Sequence, residues 1–208
     1  MEKIPAVITQ NLADEISSRL PFPDEYLAEA ARLVNVEFNR PGMLLEKLAS
    51  AYAFIDKVNS EHISKFTSCN KGCSHCCRID VQLTNFEAEY IAVMTGVPHV
   101  IDSELSKGHR GSPCPFLKNN GECSIYLYRP LFCRTYHVMT EPALCAKVDA
   151  DVLAYGTMGG KMGNLAYLGL TQWIHYQDLC MVGRIVLKDI RDFFPHGRDR
   201  ILRHLRAL

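Results

Sequence analysis

The chain's hydrophobic positions recur mostly at spacings of three and four, the signature of amphipathic helices. After the acidic pair Asp24-Glu25, the positions Leu27, Ala31, Val34 and Phe38 form one stripe, which Pro41-Gly42 ends. Leu44, Leu48, Ala51, Ile55 and Val58 form a second, so residues 1–68 are expected to build an antiparallel helical hairpin. Thr84-Asn85-Phe86-Glu87 has the Thr-x-x-Glu form of a capping box and predicts a helix through Ala88, Ile91, Ala92 and Met94, stopped by Gly96 with Pro98 behind it. From Val100 to Gly121 the sequence is polar and turn-rich and reads as surface loop. A short extended piece, Cys123 to Tyr126, follows, and Tyr128-Arg129-Pro130 leads into a helix or turn carrying Cys133. Leu165–Met181, Arg184–Phe194 and Arg198–Leu208 read as three further helices. The expected fold is mainly α: bundle-like helical flanks (1–68 and 146–208) packed around a small, loop-rich cysteine region (69–145) with minimal β structure, together one compact unit.

Charge removes several function classes. Lys and Arg total 23, as do Asp and Glu, so the whole molecule exerts no general attraction on nucleic acid or anionic lipid. The last 25 residues hold seven basic and three acidic side chains, and their arginines read as the solvated face of a helix. No run approaches the roughly 18 apolar residues of a membrane span, and Met1–Gln10 lacks the basic and apolar regions of an export signal. A cytoplasmic location is expected. The glycine-rich passage Gly156–Gly163 lacks the spacing and the Ser or Thr of a phosphate loop. Asp149 and Asp151 would diverge on a helix, so no catalytic residue is assigned.

The candidate chemistry lies in the cysteines. Seven of nine fall in the central stretch: Cys69, Cys73, Cys76, Cys77, Cys114, Cys123 and Cys133. Thiolates bind zinc and iron–sulfur clusters strongly, and short loops bring neighbouring sulfurs to one centre. A disulfide framework would need an oxidising compartment, which nothing in the sequence signals. Cys76 and Cys77 are adjacent and tend to point apart, so they serve either two centres or one ligand and one packing role. Both two zinc centres sharing seven sulfurs and a single four-sulfur site fit the count. Lys71, Arg78, Arg129 and Arg134 are available to offset the thiolate charge. His75, His109 and His137 stand near the cysteines but read as polar contacts. Cys145 and Cys180 read as buried, unliganded thiols.

The motifs Cys73-Ser74-His75-Cys76-Cys77, Leu83-Thr84-x-x-Glu87, Cys114-Pro115-Phe116-Leu117, Gly121-Glu122-Cys123-Ser124-Ile125-Tyr126 and Arg129-Pro130-Leu131-Phe132-Cys133-Arg134 resemble, in order, the YkgJ-type cysteine-cluster family, a zinc- or iron-chelating domain. The resemblance covers residues 69–137 or so. It implies chelation by the matched cysteines and adds Arg129, Pro130 and Arg134 as positions that are structural or that support the ligands. Larger proteins with such a cluster, such as flagellin lysine methylases, resemble enzymes that use iron–sulfur chemistry. Cys69, Cys73 and Cys76 also have the spacing of radical S-adenosylmethionine enzymes, but the β/α alternation those enzymes need is missing. The expectation is a zinc or iron protein whose centre is structural and whose helical flanks contact a protein partner. The alternative is an iron–sulfur protein, with a 4Fe-4S cluster, in electron transfer or protein modification.

Overall fold

The computed structural model describes residues 23–69, 72–101, 108–147, 150, 152–155 and 165–197. Among them helices dominate and the sheets are two-residue ladders, in keeping with a mainly α chain. The expected helix Arg198–Leu208, the passage Gly156–Gly163, Lys71, Asp149 and Asp151 lie outside the described residues. Cα packing divides the chain into two units, Met1–Asn70 with Arg134–Trp173 and Lys71–Cys133 with Ile174–Leu208.

Among the described residues of the first unit, α1 (Asp24–Arg32) comes first, and its acidic first turn and basic last turn complement the helix dipole. It runs on into a single π turn, Leu33–Glu37, in which the Phe38 N–H reaches back to the Leu33 carbonyl at 2.9 Å. This turn corrects the predicted stripe. The buried line is Tyr26, Ala30, Leu33 and Phe38, while Ala31 is exposed. A regular helix would bring residue 37 inward after residue 33, and the extra residue in the π turn hands that place to Phe38. Its ring then packs on Trp173 at 4.3 Å.

Helix α2 (Leu44–Glu61) follows the expected pattern more closely. Leu48, Ala51, Ile55 and Val58 are 0% exposed, and only Leu44, in the first turn, stands out at 46%. The Tyr26 hydroxyl donates to Glu61 at 2.9 Å, Lys57 pairs with Glu29 at 2.8 Å, and Lys47 donates to the Phe38 carbonyl at 2.9 Å. Partners that descend in one helix as they ascend in the other define an antiparallel hairpin. The unit also holds the ladder β2 (His137–Val138) against β3 (Ala154–Tyr155). Arg134, 1% exposed, is ion-paired to Asp56 and lies over the Tyr52 ring at 4.3 Å. Asn59 donates to the Arg134 carbonyl at 2.8 Å and accepts from the buried Tyr167 hydroxyl at 3.1 Å.

In the second unit, α3 (Asn85–Thr95) starts with the expected box. The Glu87 N–H donates to Thr84 Oγ1 at 3.2 Å, and the Thr84 N–H donates to Glu87 Oε2 at 3.0 Å. It ends at Gly96, whose φ of +70° is the left-handed conformation that glycine supplies without strain. β1 (Gln82–Leu83) pairs antiparallel with β4 (Lys188–Asp189).

The predicted helix Arg184–Phe194 is replaced by this strand and a single short turn, α6 (Ile190–Phe193). Gly183, at φ +77°, stops α5 (Leu165–Val182). The Val186 N–H is then taken by the buried Asp178 carboxylate at 3.0 Å, and Asp189 accepts from the N–H groups of Val81 (2.7 Å) and Arg191 (2.9 Å). These side-chain acceptors compete with the i to i+4 ladder and win, because they are themselves fixed by burial. The apolar periodicity there came from Phe193 and Phe194 entering the core, where Phe194 meets Phe116 edge-on at 5.1 Å.

Candidate metal centre

The second unit assembles cysteines from three stretches of chain. Cys73 follows Gly72, which adopts φ +93°, and Cys76 and Cys77 lie in a 3-10 turn, His75–Arg78. The Cys114 N–H donates to the Cys77 carbonyl at 2.7 Å, tying the first two stretches together by backbone. Beyond Cys114 the chain makes a tight return. Leu117 bridges Cys123 antiparallel, and the N–H groups of Lys118 and Ser124 donate to the carbonyls of Glu122 and Phe116 at 2.8 Å each. The tip of this return, Gly121 at φ +82°, lies against the Cys73 turn: a β-carbon there would sit 3.7 Å from the Gly72 carbonyl and from Ser74 Oγ. Cys133 rides on the short helix α4 (Leu131–Thr135), whose Leu131 N–H donates to the buried Glu87 Oε1 at 2.8 Å.

The thiols respond to one another's charge. Burial pushes Cys133 well up, and the neighbouring Cys114, Cys76 and Cys123 push it further. Cys114 is raised to about 12, chiefly by burial, with Cys123 adding and Arg191 opposing. Cys123 is raised by burial and by Cys76, against the positive charge of Arg129. Cys76 is raised first by its hydrogen bond to the Cys77 thiol and then by burial, with Arg129 again opposing. Cys76, Cys114, Cys123 and Cys133 therefore form one electrostatic neighbourhood.

Among the described residues, no group of three or more His, Cys, Asp or Glu side chains stands in closed ligating geometry. The two observations differ in range. Charge is felt beyond bonding distance, so the four thiols influence one another without standing at ligand spacing. Four soft, half-buried donors in reach of an arginine's charge fit zinc or iron: a bound metal would replace the thiol protons and relieve the cost of burying thiolate charge.

The remaining predicted residues are placed as follows. Cys73 and Cys77 are half-buried in the turn that carries Cys76. Cys69 belongs to the first unit, is exposed, and accepts a hydrogen bond from the Val138 N–H at 3.2 Å. His109 Nε2 contacts Asp192 Oδ1 at 2.6 Å, while His137 Nε2 contacts Asn59 Oδ1 and the Arg134 carbonyl in the first unit at 3.0 and 2.9 Å. His75 lies half-buried in the 3-10 turn. Arg129 both reaches the thiols electrostatically and stacks on the Tyr126 ring at 4.0 Å. Arg78 donates to the Gly111 carbonyl at 3.5 Å. Arg134 takes a structural position, ion-paired to Asp56 and lying over the Tyr52 ring. Cys180 is exposed on α5 and Cys145 is half-buried, so the picture of two buried packing thiols does not hold.

Two residues were missed by sequence reasoning. Glu87 was legible as a cap but not as the acceptor that anchors the Cys133 helix. Arg191 had no signal at all. It is 7% exposed and donates to the carbonyls of Cys77 (3.1 Å), Ile79 (3.2 Å), Ser112 (2.6 Å) and Pro113 (3.3 Å). Its guanidinium also binds both Asp189 carboxylate oxygens, at 2.8 and 2.9 Å.

Residues 68–154 match the CxxCxxCC family, "Putative zinc- or iron-chelating domain". The matched CxxCxxCC segment takes in all seven candidate cysteines and Cys145, and it ends before Asp189 and Arg191. No curated protein and no solved structure matches the chain. Among the described residues, no helix is long and apolar enough to cross a membrane.

Proposed function

We propose that this chain is a zinc- or iron-binding protein in which Cys76, Cys114, Cys123 and Cys133 hold a structural metal centre. The observation that carries the reading is the convergence of three cysteine-bearing stretches, made by the Cys114 to Cys77 backbone bond and the Leu117–Cys123 bridge, on thiols that feel each other's charge. Bound metal would supply a cross-link between segments that hold little regular structure, worth on the order of ten kcal/mol for a structural zinc. Arg129 offsets part of the negative charge on the sulfurs, and Glu87 fixes the helix that presents Cys133. Cys77, hydrogen-bonded through its thiol to Cys76, holds its neighbour's sulfur. Thiolate ligands of this kind require a reducing compartment such as the cytoplasm. The helical flanks contact a protein partner in this reading, and Tyr176, Leu179 and Met181 are exposed apolar side chains on α5 available to it.

Anaerobic purification with metal analysis and an absorption spectrum tests the proposal. Colourless protein with stoichiometric zinc supports it, and brown protein with iron and sulfide turns it toward the iron–sulfur alternative at the same cysteines. Cys123→Ser is expected to lose the metal and Cys180→Ser to keep it. Equal metal content in the two variants would refute the ligand assignment.

A further inference from the structure

Arg191 and Asp189 lie beyond the segment that matches the chelating domain, yet among the described residues the side-chain bonds of Arg191 other than those to Asp189 go to the loops around the cysteines. One buried guanidinium gathers the carbonyls of Cys77 and Ile79, in and just after the first cysteine turn, and of Ser112 and Pro113, just before Cys114. The fork has a fixed planar geometry, so carbonyls bound to it are held at a set spacing, which a lysine's single ammonium cannot reproduce. Asp189, 1% exposed, seats the fork from behind through both carboxylate oxygens, and is itself held by the N–H groups of Val81 and Arg191. Backbone placement of this kind, one bond removed from ligands, sets how well their sulfurs are preorganised.

We propose that Arg191, seated on Asp189, is a positioning residue of the metal centre, setting the spacing between the Cys76–Cys77 turn and the Cys114 loop. The inference rests on the reading of Cys76 and Cys114 as ligands. It makes the C-terminal segment part of the working domain, which the matched residues alone would not suggest.

The test is a Co(II) titration of the full reduced chain after chelator treatment, with affinity measured by chelator competition and geometry read from the sulfur-to-cobalt charge-transfer and d–d bands. Arg191→Lys and Asp189→Asn are each expected to weaken Co(II) binding by roughly tenfold or more and to shift the d–d bands. Leu48→Ala, a core truncation in the first unit that lowers stability by other means, is expected to leave both unchanged. In Arg191→Gly, millimolar guanidinium is expected to restore affinity and the native bands, a rescue that general destabilisation does not produce. If the Arg191 variants are folded and bind Co(II) with native affinity and spectrum, or if Arg191→Gly does not respond to guanidinium, the inference is overturned. Native protein that binds Co(II) without thiolate charge-transfer bands instead overturns the ligand reading itself, and this inference with it.

Discussion

Glu87→Ala should separate a helix cap from a metal-site support, because one carboxylate serves both. Oε2 accepts from the Thr84 N–H at 3.0 Å at the start of α3, and Oε1 accepts from the Leu131 N–H at 2.8 Å at the start of α4, two residues before Cys133. The residue is 3% exposed, so water does not replace the lost acceptor. Removing the side chain leaves two N–H groups unsatisfied at about 1–3 kcal/mol each and removes the reciprocal half of a capping box. A loss of roughly 3–5 kcal/mol follows. For a chain of this size each kcal/mol moves the midpoint by about 2–4 °C, so the metal-free melting temperature should fall by roughly 6–20 °C in differential scanning calorimetry. Thr84→Val breaks the box and leaves the Leu131 bond, so its cost should stay near 1–2 kcal/mol. Glu87→Gln keeps one carbonyl oxygen and should fall between them. Metal affinity discriminates further: Glu87→Ala frees the start of the Cys133 helix and should bind zinc at least about tenfold more weakly, equivalent to ~1.4 kcal/mol, whereas Thr84→Val should bind as the native chain does. Equal stability loss and equal affinity in the two variants would show that the Leu131 bond supports nothing.

Metal uptake should release protons, because Cys76, Cys114, Cys123 and Cys133 are all held above the ordinary thiol range; calorimetric titration in buffers of differing ionisation enthalpy should count about four per ion near neutral pH, and binding should weaken as pH falls. For the metal-free chain the sign is opposite. Thiols raised by folding keep their proton in the native state while unfolded thiols lose theirs from about pH 8.5, so stability should decline from there toward the value of about 12 reached by Cys114, as thermal melts across that window would show. Asp56→Ala removes one partner of the buried Arg134, a carboxylate that is itself 43% exposed, so a loss of about 1–3 kcal/mol is expected in chemical denaturation. Its metal content, measured by elemental analysis, should be native, since the Asp56 pair with Arg134 lies in the first unit and not among the four thiols.

Local signals settled the local structure. The Thr84-x-x-Glu87 box, the Gly96 stop and the stripe Leu48, Ala51, Ile55, Val58 each depend on residues within a few positions of one another, and each is present where the sequence puts it. The cysteine spacing likewise pointed to the zinc- or iron-chelating chemistry by which the matching family is described, because short loops let neighbouring thiolates converge. Tertiary structure decided the rest. A π turn moved the buried face of α1 by one residue. The N–H groups of Val81 and Phe86, over a hundred and over ninety residues away, hold the Asp189 and Asp178 carboxylates that turn Arg184–Phe194 from a periodic helix into strand and turn. Which sulfurs share a neighbourhood, and that the charges of Arg129 and Arg191 reach them, depends on loop closure between distant segments, which no window of sequence contains.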